Sequence, residues 1–171
     1  MKLIIFDLDN TLYPEETYVQ SGFKAVARYL SGKYDCNFEK LFSIIMDIFN
    51  KDGRGKVFDR LVNDLNFNEE ISTLVYIYRY HSPNISLYPE SIFLLNKLKS
   101  KYKLALITDG RSFVQKRKVD ALNIGDYFDV VVFTDVLGEN YWKKRGYKRF
   151  DADFQVNSLN EILGVLDEDW R

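Results

Sequence analysis

The spacing of apolar residues divides the chain into three stretches. The first is a continuous apolar run, Leu3–Phe6, of the length and kind expected for a strand buried on both faces. It runs into Asp7 and Asp9, and because side chains alternate along a strand, both acids are expected on the same side of its end. Thr11 follows, and Pro14 closes the stretch. From there the period turns helical. Val19, Phe23, Val26, Ala27 and Leu30 form one stripe, with Gly32 near the expected stop. Asn37 can cap a second helix carrying Leu41, Phe42, Ile45, Ile48 and Phe49, which Asp52-Gly53 should break. A third carries Phe58, Leu61, Val62 and Leu65. Asn68 can cap a fourth, with Glu69 and Glu70 in its first turn and Ile71, Leu74, Val75 and Tyr78 on its stripe. Residues 15–86 therefore read as a small helical bundle inserted after the first strand, and residues 1–14 with 87–171 as the domain it interrupts.

Ser82-Pro83-Asn84 ends the bundle, and Pro89 suits the first turn of a helix through Ile92, Leu95 and Leu98. A second apolar strand, residues 103–107, ends in Thr108-Asp109-Gly110. A basic helix over residues 112–123 follows, with Gly125 as its stop, and then a third strand, Val130–Phe133, ending in Thr134-Asp135. Helices alternating with buried strands predict an α/β fold, a doubly wound parallel sheet carrying an inserted all-helical domain. Ligands of such sheets bind beyond the carboxyl ends of the strands, which is where Asp7, Asp9 and Thr108 fall. Past Gly138 the pattern weakens: residues 152–156 suit a short strand, and Ser158 can cap a last helix through Leu159, Ile162, Leu163 and Leu166.

Composition narrows the classes. With 24 basic and 25 acidic residues the chain has a net charge of −1, which offers no global field for nucleic acid or an anionic membrane. A single cysteine, Cys36, excludes an internal disulfide and a multi-cysteine zinc site, and suits a reducing cytoplasm. No apolar run approaches the roughly 20 residues of a membrane span. An N-terminus that runs from a strand into acids is not expected to be a signal peptide.

Two carboxylates at one strand end repel each other and invite a divalent cation, and hard oxygen ligands favour Mg2+. One carboxylate can then attack a phosphoryl group, while the other protonates the leaving oxygen and later deprotonates water. The hydroxyl of Thr108, the amides that follow it and a later lysine could serve the phosphoryl oxygens.

The residues that carry this chemistry also carry a resemblance. Phe6-Asp7-Leu8-Asp9-Asn10-Thr11-Leu12-Tyr13 resembles the first motif of the haloacid dehalogenase superfamily, in the DxDxT form of its phosphatase branch. Leu106-Ile107-Thr108-Asp109-Gly110 resembles the second motif, and Gly138-Glu139-Asn140-Tyr141-Trp142-Lys143 the third. A helical insert directly after the first motif is similar to that superfamily's C1 cap. The resemblance implies a Rossmann-like core and a cap that closes over the site. It implies Asp7 as nucleophile, Asp9 as general acid/base and Lys143 as the neutralising cation. Phosphate would be bound by Thr108, Asp109 and Gly110, and magnesium by the Asp7 side chain and the Asp9 backbone carbonyl. The implied substrate is a small phosphorylated metabolite and the implied location cytoplasmic; the particular ester and the oligomeric state stay open.

One part of the pattern departs. The fourth motif, a strand ending in Gly-Asp that completes the metal site, does not follow Lys143. Asp151, Asp153, Asp167 and Asp169 follow no buried strand, and Lys144 stands where the family has proline. The chain passes from the third motif to what resembles the family's closing strand and helix. Two absent strand–helix units amount to on the order of 50 residues, and the reading favours a whole protein with a further segment between Lys143 and Lys144. The alternatives are a catalytically inactive module with a binding or structural role, or a phosphomutase. Away from the motifs the ordinary readings are preferred: the Lys116-Arg117-Lys118 run as a solvated helix face, His81 as a helix-end residue, and Cys36 as unreactive.

Overall fold

The computed structural model describes residues 2–137, 158, 159 and 161–169. The chain divides into two compact units, Met1–Pro14 with Ser86–Arg171, and Glu15–Ile85.

Among the described residues the first unit has three parallel strands, β1 (Leu3–Phe6), β2 (Lys103–Thr108) and β3 (Val130–Phe133), in the order β1-β2-β3. Phe6 pairs with Leu106, and Thr108 with Phe133. This register brings the three carboxyl ends out at one edge, so the residues just beyond them become neighbours. The expected α/β architecture is present. Pro89 opens the helix before β2 (Pro89–Lys99), and a second helix (Ser112–Leu122) links β2 to β3. The strand buried along most of its length is β2, where Leu104, Ala105, Leu106 and Thr108 are all buried. The expectation of two buried faces for β1 is corrected: Leu3 and Ile5 are 52% and 56% exposed, and Phe6 turns inward. Alternate side chains of a strand point to opposite faces of the sheet, and the described residues leave the face of Leu3 and Ile5 about half uncovered.

The turn after β1 is anchored more firmly than the strand itself. Leu8, Leu12 and Tyr13 are wholly buried, and each such side chain contributes about 1.5–3 kcal/mol. The amide of Leu12 donates to the carbonyl of Leu8 at 3.0 Å. The Leu12 carbonyl in turn accepts from the Tyr88 amide at 3.0 Å and from the Ser91 hydroxyl at 2.8 Å. Asn10 supplies the left-handed residue the turn needs, at φ 57°.

In chain order the helices of the second unit are α1 (Glu15–Tyr34), α2 (Phe38–Asp52), α3 (Val57–Asp64) and α4 (Ile71–Tyr80). Those of the first, among the described residues, are α5 (Pro89–Lys99), α6 (Ser112–Leu122) and α7 (Glu161–Asp169). The helical unit packs the predicted stripes together. Val19, Phe23, Val26, Ala27, Leu30, Leu41, Ile45, Ile48, Phe58, Leu61 and Leu74 share one core. Asn37 caps α2, accepting from the Lys40 amide at 2.8 Å, and Gly53 ends it at φ 72°.

Helix α1 ends at Tyr34, two residues past Gly32 and so near the expected stop. Two boundaries differ from expectation. Asn68 does not cap α4: its carbonyl accepts from the Tyr34 hydroxyl at 2.7 Å, and Glu69 is drawn to Lys33, also at 2.7 Å, so the helix starts after Glu70. Helix α6 stops at Asn123, in the left-handed region at φ 53°, and Gly125 instead begins a short 3-10 turn. The proposed strand over 152–156 lies outside the described residues, whereas a closing helix is present as α7.

Candidate active site

Asp7 leaves the end of β1 exposed, and Asp9 sits half-buried on the anchored turn. One strand over, β2 ends in Thr108, which is 2% exposed. Gly110, at φ 123°, makes the turn into α6, a conformation that side-chain-bearing residues rarely adopt. Helix α6 then directs Gln115, Lys118, Val119 and Leu122 inward, while Lys116 faces out and pairs with Asp120 at 2.7 Å.

That helical phase assembles the site. The Lys118 ammonium donates to both oxygens of Asp9, at 2.8 Å (Oδ1) and 2.9 Å (Oδ2). The Tyr13 hydroxyl donates to Oδ1 at 2.5 Å, and the Gln115 side-chain amide donates to Oδ2 at 2.9 Å. The same Gln115 nitrogen lies 2.5 Å from the Thr108 hydroxyl oxygen and 2.9 Å from the Asp109 carbonyl. It therefore ties the acid at the end of β1 to the hydroxyl at the end of β2. On the far side, the Thr134 hydroxyl donates to the Asp109 carboxylate. Asp135 accepts from the Ser112 amide at 2.6 Å, so the first amide of α6 is already occupied.

The two acids occupy opposite electrostatic environments. Burial pushes the Asp9 carboxyl up, but the bonds from Lys118, Tyr13 and Gln115 outweigh it and hold Asp9 below the usual carboxylate range. Asp7, exposed on one side, is pushed above that range chiefly by the partial loss of water on its enclosed side and further by the Asp9 charge, against an opposing bond to the Leu8 backbone.

Of the residues singled out from sequence, the structure brings Asp7, Asp9, Thr108, Asp109 and Gly110 to one edge of the sheet. Lys143 lies outside the described residues. Gln115 and Lys118 were missed. The ordinary reading of Lys116-Arg117-Lys118 as a solvated face is wrong for Lys118, whose side chain is 5% exposed and ion-paired. The available signal was positional: Gln115 and Lys118 share the stripe of Val119 and Leu122, and polar residues on an inward stripe need partners.

Among the described residues no group of three or more His, Cys, Asp or Glu forms a metal cage. Magnesium does not require one from protein alone, because it is usually held by one or two carboxylates with water and substrate phosphate. The exposed Asp7 carboxylate fits that donor set; the Asp9 carboxylate, with both oxygens engaged, does not.

The parallel sheet, with paired acids beyond one strand and a hydroxyl beyond the next, is the arrangement of a Rossmann-like α/β protein. The chain belongs to the haloacid dehalogenase-like hydrolase family, whose profile matches residues 4–161. It is 33% identical over 147 residues to the glyceraldehyde 3-phosphate phosphatase of Methanocaldococcus jannaschii, covering 81% of this chain and 64% of that protein. It is 28% identical over 145 residues to the phosphoglycolate phosphatase of Aquifex aeolicus, covering 81% and 63%. The chain thus spans a little under two thirds of the length of these relatives. Among solved structures, the 2-haloacid dehalogenase of Pseudomonas syringae superposes with a TM-score of 0.57 at 17% identity, covering all of both chains. A haloacid dehalogenase-type phosphatase of Thermococcus onnurineus superposes with a TM-score of 0.53 at 19% identity, covering 97% and 98%. One fold therefore serves a dehalogenase and a phosphatase, and the chemistry must be argued from the site.

Proposed function

We propose that this protein is a magnesium-dependent phosphatase acting on a small phosphorylated metabolite through an aspartyl-phosphate on Asp7. The observation that carries the reading is the site itself: an exposed carboxylate at the end of β1, a second acid two residues on, and Gln115 tying that acid to the Thr108 hydroxyl. The names of the relatives, glyceraldehyde 3-phosphate phosphatase and phosphoglycolate phosphatase, support a compact phosphate ester as substrate.

An Asp7 oxygen attacks phosphorus as the bond to the leaving oxygen breaks, and Asp9 delivers the proton that the leaving oxygen requires. Asp9, left ionised, then takes a proton from the water that attacks the phosphorus, and the Asp7 oxygen departs. Because Thr108 accepts from Gln115, its own hydroxyl hydrogen is left to donate to a phosphoryl oxygen. Gly110 lets the backbone approach. Magnesium would be held by the Asp7 side chain and the Asp9 backbone carbonyl, where it would neutralise charge on the phosphoryl oxygens. Lys143 is the proposed additional cation, and the helical unit of residues 15–85 the proposed cap. Among the described residues no helix is long and apolar enough to cross a membrane, and the single unpaired cysteine supports a cytoplasmic location.

The test is release of inorganic phosphate by the whole protein from p-nitrophenyl phosphate, glyceraldehyde 3-phosphate and phosphoglycolate, with magnesium and with chelator. Asp7→Asn should lower turnover by at least about 10³-fold while the protein stays folded. Undiminished hydrolysis by that variant removes Asp7 as nucleophile. Folded wild type that hydrolyses none of the esters favours the inactive binding module instead.

A further inference from the structure

Resting on the phosphatase reading, we propose that Lys118 is a positioning residue of the reaction: with Gln115 and Tyr13 it fixes where the Asp9 carboxylate stands, so that Asp9 meets the leaving oxygen of the substrate.

Asp9 comes from a turn, and a lone carboxylate on a turn samples several rotamers. Here both of its oxygens are held. Lys118 bonds both of them from helix α6 at 2.8 and 2.9 Å, Tyr13 holds Oδ1, and Gln115 holds Oδ2. The holders are rigid. Tyr13 is wholly buried, Gln115 is 2% exposed and Lys118 is 4% exposed, and the latter two stand one helical turn apart. Burying an ammonium is costly and does not arise on an ordinary helix face. It is tolerated here because the ammonium bridges a carboxylate. Gln115 extends the same control to Thr108, 2.5 Å away, so one helix sets the spacing between the proton carrier and the phosphate-facing hydroxyl. A displacement of about 1 Å in such a group is enough to cost on the order of 100-fold in rate.

Proton delivery matters in proportion to how poor the leaving group is. An alkoxide needs a proton as the P–O bond breaks, whereas p-nitrophenolate leaves without one. Loss of Asp9 positioning must therefore fall selectively on alkyl esters, a signature that general loss of structure does not produce.

The experiment compares wild type, Lys118→Met, Lys118→Arg and Tyr13→Phe, as whole protein with magnesium, on p-nitrophenyl phosphate and on 2-glycerophosphate. Lys118→Met should lower kcat on 2-glycerophosphate by about 100-fold and on p-nitrophenyl phosphate by less than about 10-fold, with KM changed little. Lys118→Arg should recover at least about 10-fold of the alkyl-ester loss, since it keeps a donor-rich cation. Tyr13→Phe should show the same selectivity at smaller size, and it supplies the answer if Lys118→Met does not fold. Crystal structures should show Asp9 displaced in Lys118→Met and Asp7 unmoved. Equal losses on both esters, an unmoved Asp9, or faster alkyl-ester turnover in Lys118→Met each overturn the proposal while leaving the phosphatase reading intact. A wild type inactive on both esters overturns the phosphatase reading, and this inference with it.

Discussion

The Asp9–Lys118 pair should be lopsided in its contribution to stability, and the lopsidedness can be worked from burial. Exposed ion pairs contribute roughly 0–1 kcal/mol, whereas removing one partner of a buried pair costs roughly 3–5 kcal/mol because the other charge is stranded. The Lys118 side chain is 5% exposed and that of Asp9 is 21% exposed. Asp9→Asn strands the ammonium in nearly complete burial, so its cost should approach the buried case, about 2–3 kcal/mol. Lys118→Met leaves a carboxylate that still reaches water and keeps its bonds from Tyr13 and Gln115, so its cost should be about 1 kcal/mol. The double variant should fall short of the sum by about 1–2 kcal/mol. For a chain of this size, Asp9→Asn should lower the melting temperature by roughly 5–10 °C. The measurement is urea and thermal unfolding at pH 7 in metal-free buffer, with amide hydrogen exchange along α6 to isolate the sheet-bearing unit, since two units need not unfold together. The pH dependence has a definite sign. The folded-state pKa of Asp9 is depressed, so its stabilisation is complete above the ordinary carboxyl range and is lost as pH falls through the folded value. Asp9→Asn should flatten that acid limb. Equal costs for the two single variants, or strict additivity in the double, would refute the reasoning.

Asp7 should behave in the opposite way. Its folded pKa is raised by burial and by Asp9, so the ionised group opposes folding as pH rises above the ordinary carboxyl value and through the folded one. Asp7→Asn should therefore melt higher than wild type at pH 7 and lose that advantage near pH 3; an equal or lower melting temperature at pH 7 contradicts this. In the helical unit, a Cβ on Gly22 would stand 2.6 Å from Cδ2 and Cε2 of Tyr78. The Tyr78 ring is packed against Phe23, Phe58 and Tyr18, with centroids 5.4, 5.8 and 6.0 Å away, and has little room to step aside. Gly22→Ala should cost about 1–3 kcal/mol, read as a lower unfolding midpoint, and an unchanged midpoint would show that the aromatic cluster yields.

Much of the fold could be read from local pattern. The apolar runs at Leu3–Phe6 and Val130–Phe133 are strands with those limits, because short uninterrupted runs next to turn residues leave few alternatives. The stripes of α1 to α4 meet in a single core, since a helical period of apolar residues must bury one face. Asn37, Gly53 and Pro89 act at helix ends as their local chemistry dictates, Gly53 through the lack of a Cβ at φ 72°. Asn68 did not, because the Tyr34 hydroxyl that binds its carbonyl comes from 34 positions away, and Gly125 did not, because Asn123, two residues earlier, already takes the left-handed conformation that ends α6.

The same division holds at the site. The sequence by itself determined the acids: an apolar strand running into Asp7 and Asp9, with a second strand running into Thr108. It also determined the family resemblance that follows from them. Only the tertiary structure decided what those acids face. Lys118 stands 109 positions from Asp9, and in the sequence it is the last of three cations, any of which could face solvent. Its direction is set by the phase of α6, and that phase by Gly110, by the register of β2 on β1, and by the burial of Val119 and Leu122. A charge's partner is a property of where two elements meet, which local periodicity does not encode.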